Sequence, residues 1–201
     1  MHYLAIGDSI SIDYYTGVTD GGAASQLARK IAARPFRNLT RDGNVTTGVL
    51  ADLQHVTETP QVITLTVGGN DLLMGARADD ILANIERICG VLDPLGATVI
   101  ISTVYDPTDG DDSLSSEIGL PVELRARYNA VNGGIRETAA RRGYLLADLE
   151  QLFHGHGIRA DDTWYTRIIE PNYAGATAIA DHWYELLRAK GVLPAGASAE
   201  G

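Results

Sequence analysis

The sequence predicts an α/β fold, a three-layer α/β/α sandwich around a five-stranded parallel sheet, and three observations carry that prediction. Five short apolar runs rich in Val, Ile, Leu and Thr alternate with longer segments of helical period, the pattern of a parallel sheet covered on both faces. The 201 residues leave room for one substantial domain. Hydrophobic residues at 45% against 21% charged are enough to bury a core. The domain is expected over residues 1–193, with a frayed tail rich in Ala, Gly and Ser over 194–201.

The elements follow in order. The first run, His2 to Ile6, leads directly into Gly7-Asp8-Ser9. The second, Phe36 to Thr40, runs into a glycine-bearing loop, Arg41 to Gly48, that opens a helix. Gln61 to Val67 is the third and ends in Gly68-Gly69-Asn70-Asp71. A helix then carries Ile81, Ile85, Ile88 and Leu92 on one stripe, with Cys89 beside it as a small buried hydrophobe. Ala97 to Thr103 and Tyr144 to Asp148 are the fourth and fifth runs. The helix between them is marked by Leu124, Tyr128, Val131 and Ile135, and the last helix by Ala176, Ile179, Ala180, Trp183 and Leu187. Right-handed crossovers place all five carboxyl ends on one edge of the sheet, where ligands bind in such folds. Two long segments, Val104 to Leu120 and Gln151 to Asn172, emerge on that same edge.

Charge and composition exclude several classes of partner. Sixteen basic against 26 acidic residues give a net charge of −10, which disfavours nucleic acid. A single cysteine rules out an intramolecular disulfide. No apolar run reaches a membrane-spanning length, so a soluble, cytoplasmic protein is expected; a chain whose signal peptide had been removed would read the same. No phosphate loop or dinucleotide fingerprint follows a strand, and no cofactor is expected. No feature specifies an oligomer.

Three strand ends offer a hydroxyl, a glycine amide and an Asn side chain on one edge, the set needed for a nucleophile with an oxyanion hole. The Gly7-Asp8-Ser9 and Gly68-Gly69-Asn70-Asp71 turns each have a plainer reading as a helix cap. Taken together, Gly7-Asp8-Ser9, Gly43 followed by Thr46-Thr47-Gly48-Val49-Leu50, and Gly69-Asn70-Asp71 resemble, in order and spacing, the first three motif blocks of the SGNH (GDSL-like) esterases. The resemblance implies a flavodoxin-like SGNH hydrolase fold, Ser9 as nucleophile, and an oxyanion held by the Ser9 and Gly43 amides and the Asn70 side chain.

The last block departs from the family pattern, Asp-x-x-His followed by Pro-Asn and a glycine. Here Pro171, Asn172 and Gly175 fix the register, and by it the Asp position is Arg167 and the His position is Glu170. Of the five histidines, His2 starts the first strand at the opposite edge, and His55 and His182 read as surface residues. His154-Gly155-His156-Gly157 follows the fifth strand on the correct edge. The sequence therefore points to a rewired triad, with His156 as base and Glu170 orienting it; His154, or Glu170 acting directly, are the alternatives. Asp8, Trp164 and Arg167 are the candidate substrate-binding residues, Trp164 and Arg167 by shaping the acyl or alcohol pocket, with Arg167 also expected to pair with an acidic loop. That loop carries Asp106, Asp109, Asp111 and Asp112 and reads as a solvated turn or lid, or as a hard-cation site. The function expected is hydrolysis of short-chain carboxylic esters, such as acetyl esters of carbohydrates. A non-catalytic binder of an acylated or sugar ligand is the rival, and acyl transfer to an alcohol would use the same intermediate.

Overall fold

A computed structural model describes residues 1–121 and 123–193. The tail expected to fray, 194–201, lies outside the described residues. The five expected strands are present, each within about two residues of its predicted bounds: β1 Tyr3–Gly7, β2 Phe36–Thr40, β3 Val62–Thr66, β4 Thr98–Ser102 and β5 Leu145–Ala147. All pair in parallel, in the order β2-β1-β3-β4-β5.

Alternation along β1 shows why the sheet needs both faces covered. Leu4 and Ile6 point into one buried layer with Ile63 and Leu65, beneath α2 (Thr46–Leu53), α4 (Ala78–Leu92) and α6 (Leu124–Arg142). Tyr3 and Ala5 point into the other, beneath α1 (Ala23–Lys30), α7 (Leu149–Phe153) and α8 (Tyr173–Ala189). The predicted stripe Ile81, Ile85, Ile88 and Leu92 is buried in the first layer, with Cys89 among it; Ile179, Trp183 and Leu187 are buried in the second. Short helices α3 (Gly69–Leu73) and α5 (Asp112–Glu117), and the hairpin β6 (Tyr165–Thr166) with β7 (Glu170–Pro171), stand at the carboxyl edge.

The strand order reverses direction at β1, whose neighbours are β2 on one side and β3 on the other. Loops leaving β1 and β3 on opposite sides of this switch point cannot cover it, and a crevice opens there. Ser9 and Asn70 stand on those two loops.

Candidate active site

The turn after β1 is imposed by close approach of two strands. Gly7 has φ +137°, and a Cβ there would sit 2.0 Å from the Thr66 carbonyl oxygen of β3, so only glycine fits. The Asp8 amide then bonds that same carbonyl, 3.1 Å, and the Asp8 side chain accepts from the Ile10 amide, 3.2 Å. Asp8 thereby caps the single turn Ser9–Ser11, which holds Ser9 buried at the head of the crevice.

Asn44 joins the other two loops to this turn. Its amide Nδ2 donates to the Gly7 carbonyl (3.0 Å), and its own carbonyl accepts from Asn70 Nδ2 (2.9 Å). Gly43 precedes it with φ +66°. The Ser9 and Gly43 amides have no hydrogen-bond partner among the described residues, and Asn70 keeps its second amide hydrogen. Asp71 is turned away from the crevice: its carboxylate accepts from the Thr46 amide (3.0 Å) and hydroxyl (2.6 Å), capping α2 from another element. Asn44 was missed by sequence reasoning, which stopped at the adjacent glycine; the signal available was an amide side chain directly after it.

Glu170 arrives from the opposite direction on β7, which packs against the Ser9 turn and the neighbouring turn Tyr14–Thr16. It is buried, and the neighbouring Ser9 hydroxyl favours its ionised form. Its Oε2 has no hydrogen-bond partner among the described residues. Burial pushes the Glu170 carboxyl above the ordinary carboxylate range, with a smaller push from the Asp42 charge; the Ser9 hydroxyl and the Arg167 cation oppose them. Asp8 is also pushed up, to about 7, chiefly by burial and in small part by the Glu170 charge.

His156 is not brought to this group. Its ring stacks flat on Trp164, centroids 3.8 Å apart and planes 4° apart, and Nδ1 lies 2.9 Å from Asp162 Oδ2 without hydrogen-bond geometry. The two glycines bend the loop, but onto Asp109: Gly155 and Gly157 amides both donate to its carboxylate at 3.1 Å, and a Cβ on Gly157 would sit 2.6 Å from it. His156 is absent from the walls of the crevice, and His154 is exposed beside Asp109. The structure thus places His156, expected beside Ser9, against Trp164, on a loop that Asp109 holds. Trp164, expected to bind substrate, packs between His156 and Phe153 and does not line the crevice. His182, read as a surface residue, is half-buried, and burial lowers its pKa.

The acidic loop is consumed by protein donors. Arg125 binds Asp106 (2.8 Å) and Asp112 (2.5 Å), Asp111 caps α5, and Asp109 holds the histidine loop. Among the described residues no three metal-ligating side chains gather. Arg167 does not pair with this loop, contrary to expectation; it lies over the rings of Tyr14 and Tyr15.

The crevice itself encloses about 840 Å³, including its open mouth. Ser9 and Asn70 line it together with Leu72, Leu73, Leu120, Leu124 and Tyr128. Tyr105 lines it too, its hydroxyl donating to the Ile169 carbonyl at 2.7 Å.

A serine at the switch point of a parallel sheet, beside free amides and an apolar crevice, defines the α/β serine hydrolase class. Residues 5–178 match the GDSL-like Lipase/Acylhydrolase family, and the chain belongs to that family and is a carboxylic ester hydrolase. The fold is shared with solved structures of low identity. A lipolytic protein of the G-D-S-L family from Veillonella parvula is 20% identical with a TM-score of 0.75, covering 93% of this chain and 98% of its own. LAE5, an alpha/beta hydrolase enzyme from the metagenome of Lake Arreo, is 22% identical with a TM-score of 0.70, covering 96% of both chains. The psychrotrophic esterase EstA from Pseudoalteromonas sp. is 16% identical with a TM-score of 0.69, covering 95% of this chain and 98% of its own. No curated protein matches this chain in sequence.

Proposed function

We propose that this enzyme hydrolyses esters through an acyl-enzyme on Ser9, with Glu170 as a direct general base. The observation that carries this reading is the buried Glu170 carboxyl on β7, which packs against the Ser9 turn, in the register position where the family has histidine. Glu170 takes the Ser9 proton as Oγ attacks the ester carbonyl. The oxyanion that forms is stabilised by the Ser9 and Gly43 amides and Asn70 Nδ2, three preorganised donors on linked loops. Collapse expels the alcohol, which takes the proton back from Glu170. A water then yields its proton to the same carboxylate, attacks the acyl-enzyme and releases the acid, with the proton returned to Ser9. A carboxylate whose basicity is raised by burial is the better match to a serine proton.

The acyl group is proposed to enter the apolar crevice. Its leucine walls favour a chain of several carbons over the acetyl group anticipated from composition, because each buried methylene contributes about 0.8 kcal/mol.

Fluorophosphonate labelling with peptide mapping tests the assignment. The expected result is an adduct on Ser9 in the native enzyme and in His156→Ala, lost or strongly slowed in Glu170→Gln. Loss in His156→Ala with retention in Glu170→Gln would restore the histidine base. A second test rebuilds the family pattern: Arg167→Asp combined with Glu170→His should recover activity with an acid limb near the unperturbed imidazole value of about 6.5.

A further inference from the structure

Near Glu170, and not among the residues that line the apolar crevice, stands the cation of Arg167. The guanidinium carbon of Arg167 lies 5.4 Å from the Tyr15 ring centroid and 5.7 Å from that of Tyr14. The two rings meet edge to face at 5.0 Å, and the Tyr15 hydroxyl donates to Asp42 Oδ2 at 2.9 Å, which fixes the platform. Among the described residues no carboxylate lies within ion-pair distance of Arg167, although Arg37, Arg41, Arg125, Arg136 and Arg142 are each paired.

The backbone makes a sacrifice to hold it there. Arg167 and Ile168 form the tip between β6 and β7, and both are left-handed, φ +47° and +73°. For residues other than glycine this conformation is unfavourable, most severely for a β-branched side chain. The tip is three residues from Glu170, and Arg167 and Glu170 feel each other's charge. Stacking on aromatic rings occupies the face of a guanidinium and leaves the N–H donors on its edge for a planar anion.

Neither Arg167 nor the tyrosines line the crevice. With the acyl chain in the crevice and Ser9 at its head, the alcohol portion of the ester leaves toward the Arg167 side. We propose that Arg167, mounted on Tyr14 and Tyr15, binds a carboxylate carried by the alcohol portion of the substrate, so that the preferred ester is one of a hydroxy acid. This deepens the Ser9 reading and rests on it.

Two matched probes test it: 4-butanoyloxybenzoate, which releases an anionic alcohol, and its neutral methyl ester. The expected readout is the ratio of kcat/KM for the anionic over the neutral ester, falling about tenfold in Arg167→Gln, as for loss of a charge-assisted contact, and less in Arg167→Lys. An Arg167 that only keeps Glu170 ionised would depress both esters alike and leave the ratio unmoved, which overturns the proposal. Calorimetric titration of 4-hydroxybenzoate into the Ser9→Ala protein decides it without turnover: binding that weakens about tenfold when Arg167→Gln is added supports it, and equal or absent binding overturns it. If the native enzyme cleaves neither ester while the product still binds through Arg167, the failure belongs to the ester reading and not to the anion site.

Discussion

A carboxylate accepts a serine proton effectively when it is ionised yet poorly solvated, and at Glu170 burial and the Arg167 cation supply those two conditions in opposition. Removing the carboxylate in Glu170→Gln should lower kcat/KM by roughly 10² to 10⁴, the range for loss of a general base. His156→Ala should stay within about threefold, because its ring touches Trp164 and not Ser9; initial rates on one activated ester check both. Activity should fall as pH drops through the raised Glu170 pKa, since only the carboxylate is a base. Burial moves that limb above the ordinary carboxylate range, and the two variants separate the bases. Asp8 carries a stability consequence. Its folded pKa of about 7 lies above the unfolded value near 3.8, so its contribution is complete below 3.8 and is lost as pH rises through 7. Asp8→Asn keeps an acceptor for the Ile10 amide and should flatten the decline between pH 5 and 8, by about 2 kcal/mol in unfolding free energy from urea titrations. An unchanged slope would mean that Asp8 is ionised in the folded protein.

Two short elements carry the alignment of the site, and they differ in how far the sequence disclosed them. Asp71 in α3 caps α2 through the Thr46 amide and hydroxyl, tying the Asn70 loop to the Gly43 loop. Asp71→Ala should destabilise the fold by about 1–2 kcal/mol, as for a lost N-cap, and should lower kcat by more than KM rises, because Asn70 and Gly43 lose their mutual register. Thermal melts with kinetics of the same variant check this. The sheet and its edge were legible because buried parallel strands are short apolar runs and chain order fixes crossover direction. Gly7, Gly43 and Asn70 were legible because glycine marks close approach. The base was not. His156 stood on the correct edge between glycines, the usual sign of a bending loop, yet direction of bend is decided by Asp109, 46 positions before Gly155 and silent in any local pattern. Glu170 was placed by register and read as an orienting group, with direct base action only an alternative, since nothing local says that the tip Arg167–Ile168 turns it toward Ser9.

At the scale of the whole molecule, the reversal of strand order at β1 divides the neighbourhood of Ser9 into two unlike sides. Toward β3 and β4 lie α3, α6 and the 105–121 segment, whose apolar side chains enclose the crevice. Arg125 on α6 locks that segment through Asp106 and Asp112, so the acidic loop serves as a fastened wall. Toward β2 lie Asp42, Tyr15 and Arg167, polar and open. A protein so divided should discriminate acyl chains by length. Across 4-nitrophenyl esters from acetate to octanoate, kcat/KM should climb by up to about fourfold for each methylene that is fully buried, then level when the crevice is full. Leu124→Trp places a larger side chain on the crevice wall and should cut the octanoate-to-acetate ratio at least tenfold, with the plateau reached at a shorter chain. A maximum at acetate in the native enzyme, with no response to Leu124→Trp, would mean that the crevice is not where the acyl group binds. The leucine wall would then have to be assigned to the alcohol portion, and Arg167 to the acid.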